Sequence, residues 1–325
     1  MKKTEKYLTV ESVKNCPLAL TKKFTILRKV IAITQNIERP VRNIGFTALM
    51  LAITLLNSSS TLPPEFKVDV VVIDAGHGGK DHGTSGRIIK EKDVALKIAL
   101  KLGNYIDKNI PGVKVIYTRK DDRYLSLDER ADLANKHKAD LFICIHANAN
   151  PNTRAFGTET YVMGLHKDEG NLSVAKRENS VILLDENYEE RYEGFDPNSP
   201  ESYILFTLTQ SAYQASSLSF AQKVEDQFKK RVGRVSRGVK QAGFLVLWRT
   251  AMPSVLIETG FLSNSPEEKF LATAEGQDLI ASGIYRAFKE YKSEVESIHR
   301  SVFRDTLDRI EYIYRQTVCP LCERI

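Results

Sequence analysis

The chain is poor in cysteine, has no apolar run long enough to span a bilayer, and has no lasting excess of one charge. Four cysteines in 325 residues are too few for a disulfide framework to organise the fold. Cys16 lies in a basic leader. Cys144 lies in an apolar stretch and is expected to be a small core residue. Cys319 and Cys322 form CPLC near the C-terminus. No redox-type βα pattern precedes this pair, so a local disulfide or no important role is expected rather than a catalytic dithiol. The longest uncharged apolar run, Ile44–Leu56 (IGFTALMLAITLL), falls short of the roughly 20 residues a spanning helix needs. The formal charge is +6, but residues 1–57 hold 10 Lys/Arg and 3 Asp/Glu, +7 in all, which leaves about −1 for the rest. That balance excludes an electrostatic basis for nucleic-acid binding in the body. There is no internal repeat.

What is present is ordinary for a globular chain: 42% hydrophobic and 27% charged residues, enough to bury a sizeable core in one or two domains. Residues 1–60 read as a Lys/Arg-rich region, a short apolar core and a small-residue exit, Ser58 to Ser60 before Pro63-Pro64. That is the pattern of an export signal. The basic part is long for a cleaved signal, so an uncleaved anchor is the alternative; cleavage is the preferred reading. Residues 66–292 are expected to form one catalytic domain, and 293–325 an amphipathic helical tail.

Hydrophobic periodicity lays out that domain. Val70–Ile73 is an unbroken β-branched run, the mark of a strand covered on both faces. A helix follows from Glu91 to about Ile106, then a strand at Val113–Thr118. Ser126 with Glu129 makes a capping box before a helix at Leu127–Lys136. Asp140–His146 and Thr158–Met163 are further strands. Gly164–Glu201 is polar and acidic, with Ser173–Leu184 helical in its middle. A long helix is expected over Tyr203–Arg231, strands at Phe244–Trp248 and Ser254–Glu258, and helices from Ser265 and over Gly276–Tyr291. Alternating strands and helices predict an α/β fold: a single domain with a largely parallel or mixed six-stranded sheet and helices on both faces.

Three of these strands end in polar residues: Val70–Ile73 runs into the glycine-framed His77, Leu141–Ile145 into His146, and Val255–Ile257 into Glu258. In open α/β sheets ligands bind just beyond the carboxyl ends of strands. Glu91 opens the first helix. Two histidines and a carboxylate suit catalytic zinc, which takes three protein ligands and leaves a position open. A second carboxylate alongside would serve as proton carrier. Spacing leaves open which glutamate is ligand and which is base. It also leaves open a bland role for each: Glu91 as an acid at a helix N-terminus, Glu258 as an ion-pair partner of Arg249.

The segments IDAGHGGKD, KEKDVALKIAL, YTRKDDRYLSLDERADLAN, ADLFICIHANAN and AMPSVLIETGFLSNSPEEKFL, in this order over about Val68–Tyr291, resemble the zinc-dependent N-acetylmuramoyl-L-alanine amidases of the Ami type. The resemblance implies cleavage of peptidoglycan between N-acetylmuramic acid and L-alanine, in wall remodelling and daughter-cell separation. It implies that His77, Glu91 and His146 hold Zn2+ and that Glu258 is the catalytic carboxylate. Asn148, just after His146, is a candidate to position substrate, against a plain turn role. Arg249 is a candidate partner for a stem-peptide carboxylate, against a surface role. His82 stands where relatives often have proline and reads as a loop residue; His137 and His166 are assigned no role. NLSVAKRENSVILL, within 164–201, resembles an insertion of division-associated amidases, in which a helix covers the zinc until a partner protein displaces it. The acids Glu186, Glu189, Glu190, Glu193 and Asp196 make a carboxylate plug plausible here. Export to the periplasm, peptidoglycan as partner, and membrane contact only through an uncleaved leader complete the expectation. The competing readings are a non-catalytic wall-binding or regulatory protein on the same fold and a zinc peptidase for another amide.

Overall fold

A computed structural model describes residues 67–317 except 167, 200 and 204–211. The expected leader and the CPLC pair lie outside the described residues. Six strands form one sheet: β1 (Val70–Ala75), β2 (Lys114–Tyr117), β3 (Leu141–Asn148), β4 (Thr158–Met163), β5 (Ser236–Ala242) and β6 (Ser254–Phe261), in the order β2-β1-β3-β6-β4-β5. The strands β2, β1, β3 and β6 are mutually parallel. The β4 strand runs antiparallel to β6 and parallel to β5. The sheet is therefore mixed, as the sequence predicts.

Alternation along each strand sorts side chains to two faces. Val71, Ile73 and Ala75 of β1, Leu141, Ile143, Ile145 and Ala147 of β3, and Val255 and Ile257 of β6 enter one core. That core is covered by helices α1 (Glu91–Asn109), α5 (Gln214–Gln227) and α8 (Ala274–Thr317) through Ile98, Phe220, Val224, Ile284 and Phe288. The alternate residues Val72, Phe142, Cys144, Tyr161 and Leu256 enter a second core. It is covered by α2 (Leu127–Lys136), α3 (Glu169–Asn179), a 3-10 turn at Ser180–Leu184 and the short α6 (Leu245–Trp248). The polar ends of the strands belong to this second face. The short helices α4 (Tyr188–Arg191) and α7 (Ser265–Ala272) complete the elements used below.

Local signals place several boundaries. The Ser126 capping box forms at the start of α2. Asn264 accepts from the Glu267 amide and a proline sits in the first turn of α7. Two expectations are corrected. Phe244–Trp248 is not a strand: Leu245–Trp248 is one helical turn, and the edge strand is Ser236–Ala242. The edge strand is polar (SRGVKQA), so its pattern was hidden, whereas the apolar run that looked like a strand is buried helix. The long helix before it starts, among the described residues, at Gln214 and ends in a π turn, Phe228–Val232. The tail, expected to be helical, continues α8 as far as Thr317 with no helix-breaking residue after Gly283.

Candidate active site

His77 follows β1 in a left-handed backbone conformation, φ 61°, which is costly for a side chain with a Cβ. Two buried arginines hold the chain there. Arg130 donates to the carbonyls of Ala75 and His77, each at 2.8 Å, and pairs with Asp74 at 2.8 Å. Arg119 donates to the carbonyls of Ala75, Gly76 and Lys92 at 2.9, 2.7 and 2.7 Å, tying β1 to the first turn of α1. Gly76 is needed for space: a Cβ there would lie 2.4 Å from His146 Nε2. Cys144 is buried as expected, its thiol donating to Asp74 Oδ2 at 2.8 Å.

These supports bring four donor atoms together. His77 Nε2 lies 3.1 Å from Glu91 Oε1 and 3.2 Å from Glu178 Oε2. His146 Nδ1 lies 3.0 Å from the same oxygen of Glu91 and 3.1 Å from that of Glu178. All four residues are buried, and their ligand atoms lie within 4.8 Å of one another. Four ligands bonded to one zinc at about 2.0–2.1 Å would stand roughly 3.3 Å apart, so the group fits a single ion. The outer contacts fit as well. His77 Nδ1 faces Asp81 Oδ2 at 2.7 Å, which leaves Nε2 free to ligate. Glu91 is held by the Thr84 amide at 2.7 Å and the Ala147 amide at 2.9 Å. His77 Nε2, Glu178 Oε2 and Glu258 Oε2 are buried with no hydrogen-bond partner. Orphaned donor atoms of this kind signal an ion or ligand.

The electrostatics say the same. Burial pushes both imidazoles towards neutrality, but Glu91 beside His77, and Cys144 and Glu178 beside His146, raise them well above their ordinary value. Burial would raise Glu91 too, yet the histidines bring it down to about 2. Glu258 goes the other way. Burial and the repulsion of Glu178 lift it well above the usual carboxylate range, despite Arg177. The carboxylates thus favour positive charge at the two imidazoles, the place a cation would take, and Glu258 is a carboxylate poised to hold a proton.

Of the residues singled out in the sequence, His77, Glu91 and His146 lie together with Glu258 close by. Arg177 Nη2 links them, 2.9 Å from Glu178 Oε1 and 3.4 Å from Glu258 Oε1. Asn148 is buried at the same rim, its oxygen 3.0 Å from Arg177 Nη2. Arg249 is elsewhere: it donates to the Arg191 carbonyl at 3.3 Å, pairs with Glu193 at 3.6 Å and lies beside the Trp248 and Tyr192 rings. His82 is an exposed loop residue. Sequence reasoning missed Glu178 as the fourth donor. It looked to the acids Glu186, Glu189, Glu190, Glu193 and Asp196, which are all exposed. The signal was the Arg177-Glu178 pair inside NLSVAKRENSVILL: α3 is amphipathic, and its buried residues include Glu178. A charge on the buried side of a helix calls for a partner. Helix α3 and the turn after it roof the site, leaving a cleft of ≈ 250 Å³ lined by His77, Asp81, Thr84, Glu91, Arg177 and Glu178 among others.

The profile of the N-acetylmuramoyl-L-alanine amidase family, Amidase_3, matches residues 71–290. The chain belongs to this family. The match takes in every strand but the first residue of β1, and both histidines and all three glutamates of the site. Among amidases of known sequence it is 34% identical to N-acetylmuramoyl-L-alanine amidase AmiC of Escherichia coli over 235 residues, 71% of this chain and 54% of that protein. The chain thus spans about half the length of that relative. Among solved amidase structures it resembles the catalytic domain of CwlV from Bacillus (Paenibacillus) polymyxa, with TM-score 0.51 and 32% identity, covering 69% of this chain and 97% of that one. It also resembles the CwlD amidase of Clostridioides difficile, solved in complex with the GerS lipoprotein, with TM-score 0.51 and 27% identity, covering 69% of this chain and 98% of that one.

Proposed function

We propose that the chain hydrolyses the amide between N-acetylmuramic acid and L-alanine in peptidoglycan, with Zn2+ held by His77, Glu91 and His146. The observation that carries this is the buried group of four donor atoms, two of them orphaned, beside a carboxylate that burial lifts above the usual carboxylate range. When bound, zinc polarises a carbonyl and makes water a nucleophile near neutral pH. Glu258 takes a proton from the attacking water and gives one to the leaving nitrogen. Burial raises its proton affinity, as that exchange requires. Arg119 and Arg130 hold the His77 turn so that the donor atoms are set before any ion arrives.

We further propose that the described form is a resting state. Glu178 fills the position substrate or water needs, and Arg177 engages Glu258. A partner protein that binds the 164–201 insertion would withdraw α3. The lipoprotein complex of the CwlD amidase supports such partners for this fold. The substrate places the chain on the wall side of the cytoplasmic membrane, exported by the Ile44–Leu56 segment. Among the described residues no helix is long and apolar enough to cross a membrane.

Dye release from labelled peptidoglycan, with and without a chelator, tests the reading. Wild type is expected to release little, and Glu178→Ala at least about ten-fold more, the scale of a lost charged hydrogen-bond set. Chelator is expected to abolish both. Products must end in a free lactyl carboxylate and a free alanine amine. Cleavage at another amide would favour the peptidase reading, and no release from Glu178→Ala with zinc would favour the binding-protein reading.

A further inference from the structure

Adjacent residues of α3 place a carboxylate and a guanidinium in the site, and these are the charges that amide hydrolysis produces. Breaking the C–N bond gives the carbon an oxygen from water and the nitrogen a proton. The products are a carboxylate and an amine that ionises to ammonium. Glu178 puts a carboxylate oxygen between the two histidines, 3.2 and 3.1 Å from their ring nitrogens. Arg177 puts a hydrogen-bearing nitrogen, Nη2, 3.0 Å from Asn148 Oδ1 and 3.4 Å from Glu258 Oε1. Its neighbour Nη1 donates to the Ala149 carbonyl at 3.1 Å. Every group around this end of the guanidinium is an acceptor.

The orientation of Asn148 is not free. Its Nδ2 donates to Glu159 Oε2 at 3.0 Å, so its oxygen must face the site. Glu159 is itself fixed. It is 2% exposed and accepts from Tyr161 at 2.8 Å, Arg237 at 2.5 Å and Lys240 at 2.6 Å. It stands opposite Glu258 in the antiparallel register of β4 and β6. The Gly238 backbone, at φ 87°, lies between Arg237 and Lys240 and breaks the strand alternation, which lets both reach one oxygen.

We infer that Arg177 and Glu178 occupy the site as a mimic of both products, and that Asn148 Oδ1, the Ala149 carbonyl and Glu258 form a subsite for the leaving amine, the new N-terminus of the released peptide. Glu159 acts as a positioning residue that keeps the Asn148 oxygen turned inward. The inference rests on the amidase reading, because that reaction frees the peptide's amine there. It names an interaction that a blocked amine cannot make: an acylated nitrogen has one hydrogen and no charge.

Calorimetry on the full chain carrying Arg177→Ala and Glu178→Ala, loaded with zinc, tests this. The probes are a synthetic tripeptide, L-alanyl-γ-D-glutamyl-L-lysine, and its N-acetylated form. The free amine is expected to bind roughly ten- to a hundred-fold more tightly, the worth of hydrogen bonds to a charged group. Adding Asn148→Ala should remove that preference, with zinc affinity unchanged. If Asn148→Ala does not fold, Glu159→Ala, which leaves the Asn148 oxygen oriented only by the Ala149 amide at 2.7 Å, should reduce the preference. Equal binding of the two peptides, or a preference that survives Asn148→Ala, overturns the inference. Peptidoglycan release by the same open variant is scored separately. Release without amine preference overturns the subsite alone; amine preference without release overturns the amidase reading.

Discussion

Glu225 is an acid at 1% exposure whose partners are all hydroxyls: Thr158 at 3.0 Å, Thr160 at 2.7 Å and Ser236 at 2.5 Å. Burial raises its pKa, and the three hydroxyls only partly offset this. The folded chain therefore binds this proton more tightly than the unfolded chain does. Its contribution to stability is whole below the unfolded value of about 4.3. It is lost as pH rises through the higher folded value, at about 1.4 kcal/mol for each pH unit between the two. Glu225→Gln should raise the melting temperature at pH 7 and leave it nearly unchanged at pH 4; equal changes at both pH values would contradict the sign. Glu258 is raised by the same burial, with Glu178 adding repulsion, but here the proton serves chemistry. Glu258→Gln should lower peptidoglycan release by about 10²–10⁴-fold, the usual worth of a general acid–base. Its zinc content should match wild type, since Glu258 is not one of the four clustered donors. Loss of the metal in that variant would make it a ligand instead.

At the scale of elements, α3 is held by contacts that can be loosened one at a time. Asn179, its last residue, donates to the Gly243 carbonyl at 2.8 Å and accepts from the Leu245 amide at 2.9 Å, joining the roof to α6. Asn179→Ala leaves those backbone groups unpaired only while the roof is closed. That costs the closed form about 1–3 kcal/mol. Basal release should rise several-fold or more, and amides of residues 169–184 should exchange faster, while the melting temperature changes little. Exchange as slow as in wild type would mean that other contacts set the closure. Which elements were legible follows from this geometry. The strands β1, β3 and β6 were readable because buried parallel strands are continuous Val/Ile/Leu runs, and their ends gave His77, His146 and Glu258. The edge strand β5 was not, since its side chains are polar and half-buried. Helix α3 was readable as a helix, but its role was not. A carboxylate on the inner side of a short amphipathic helix carries no mark of what it faces, and only the fold brings Glu178 against histidines about 100 and 30 residues away in the chain. Arg119 and Arg130 were silent for the same reason: most of their partners are backbone carbonyls of β1, the turn after it and α1, distant in sequence.

For the molecule as a whole, α8 separates what the fold needs from what it merely carries. Its first turns fill the core beneath β1 and β3 with Ile280, Ile284, Ala287, Phe288 and Tyr291, all at most 2% exposed. The Tyr291 ring meets Phe220 of α5 edge-on at 5.4 Å. The next residue, Lys292, donates to the Val68 carbonyl at 3.0 Å, and one turn on Glu296 accepts from the Val68 amide at 3.1 Å, clasping the chain where it enters β1. After Glu296, Ser297, Ile298, Arg300 and Ser301 are exposed. Among the described side chains, the last that α8 packs on the core is Val295, about six turns into a helix of 44 residues. A chain stopped after Arg300 should unfold at nearly the wild-type denaturant midpoint, within the roughly 0.5 kcal/mol typical of surface changes. It should also release peptidoglycan as wild type does, because no residue of the site comes from α8. A chain stopped after Glu290 loses Tyr291 and the clasp on Val68 together. It should fall by the roughly 3–5 kcal/mol that an aromatic core truncation costs, and the loss should reach the site through β1, which leads into His77. Equal stability of the two chains would show that the clasp and the Tyr291 contact contribute nothing to holding β1 in place.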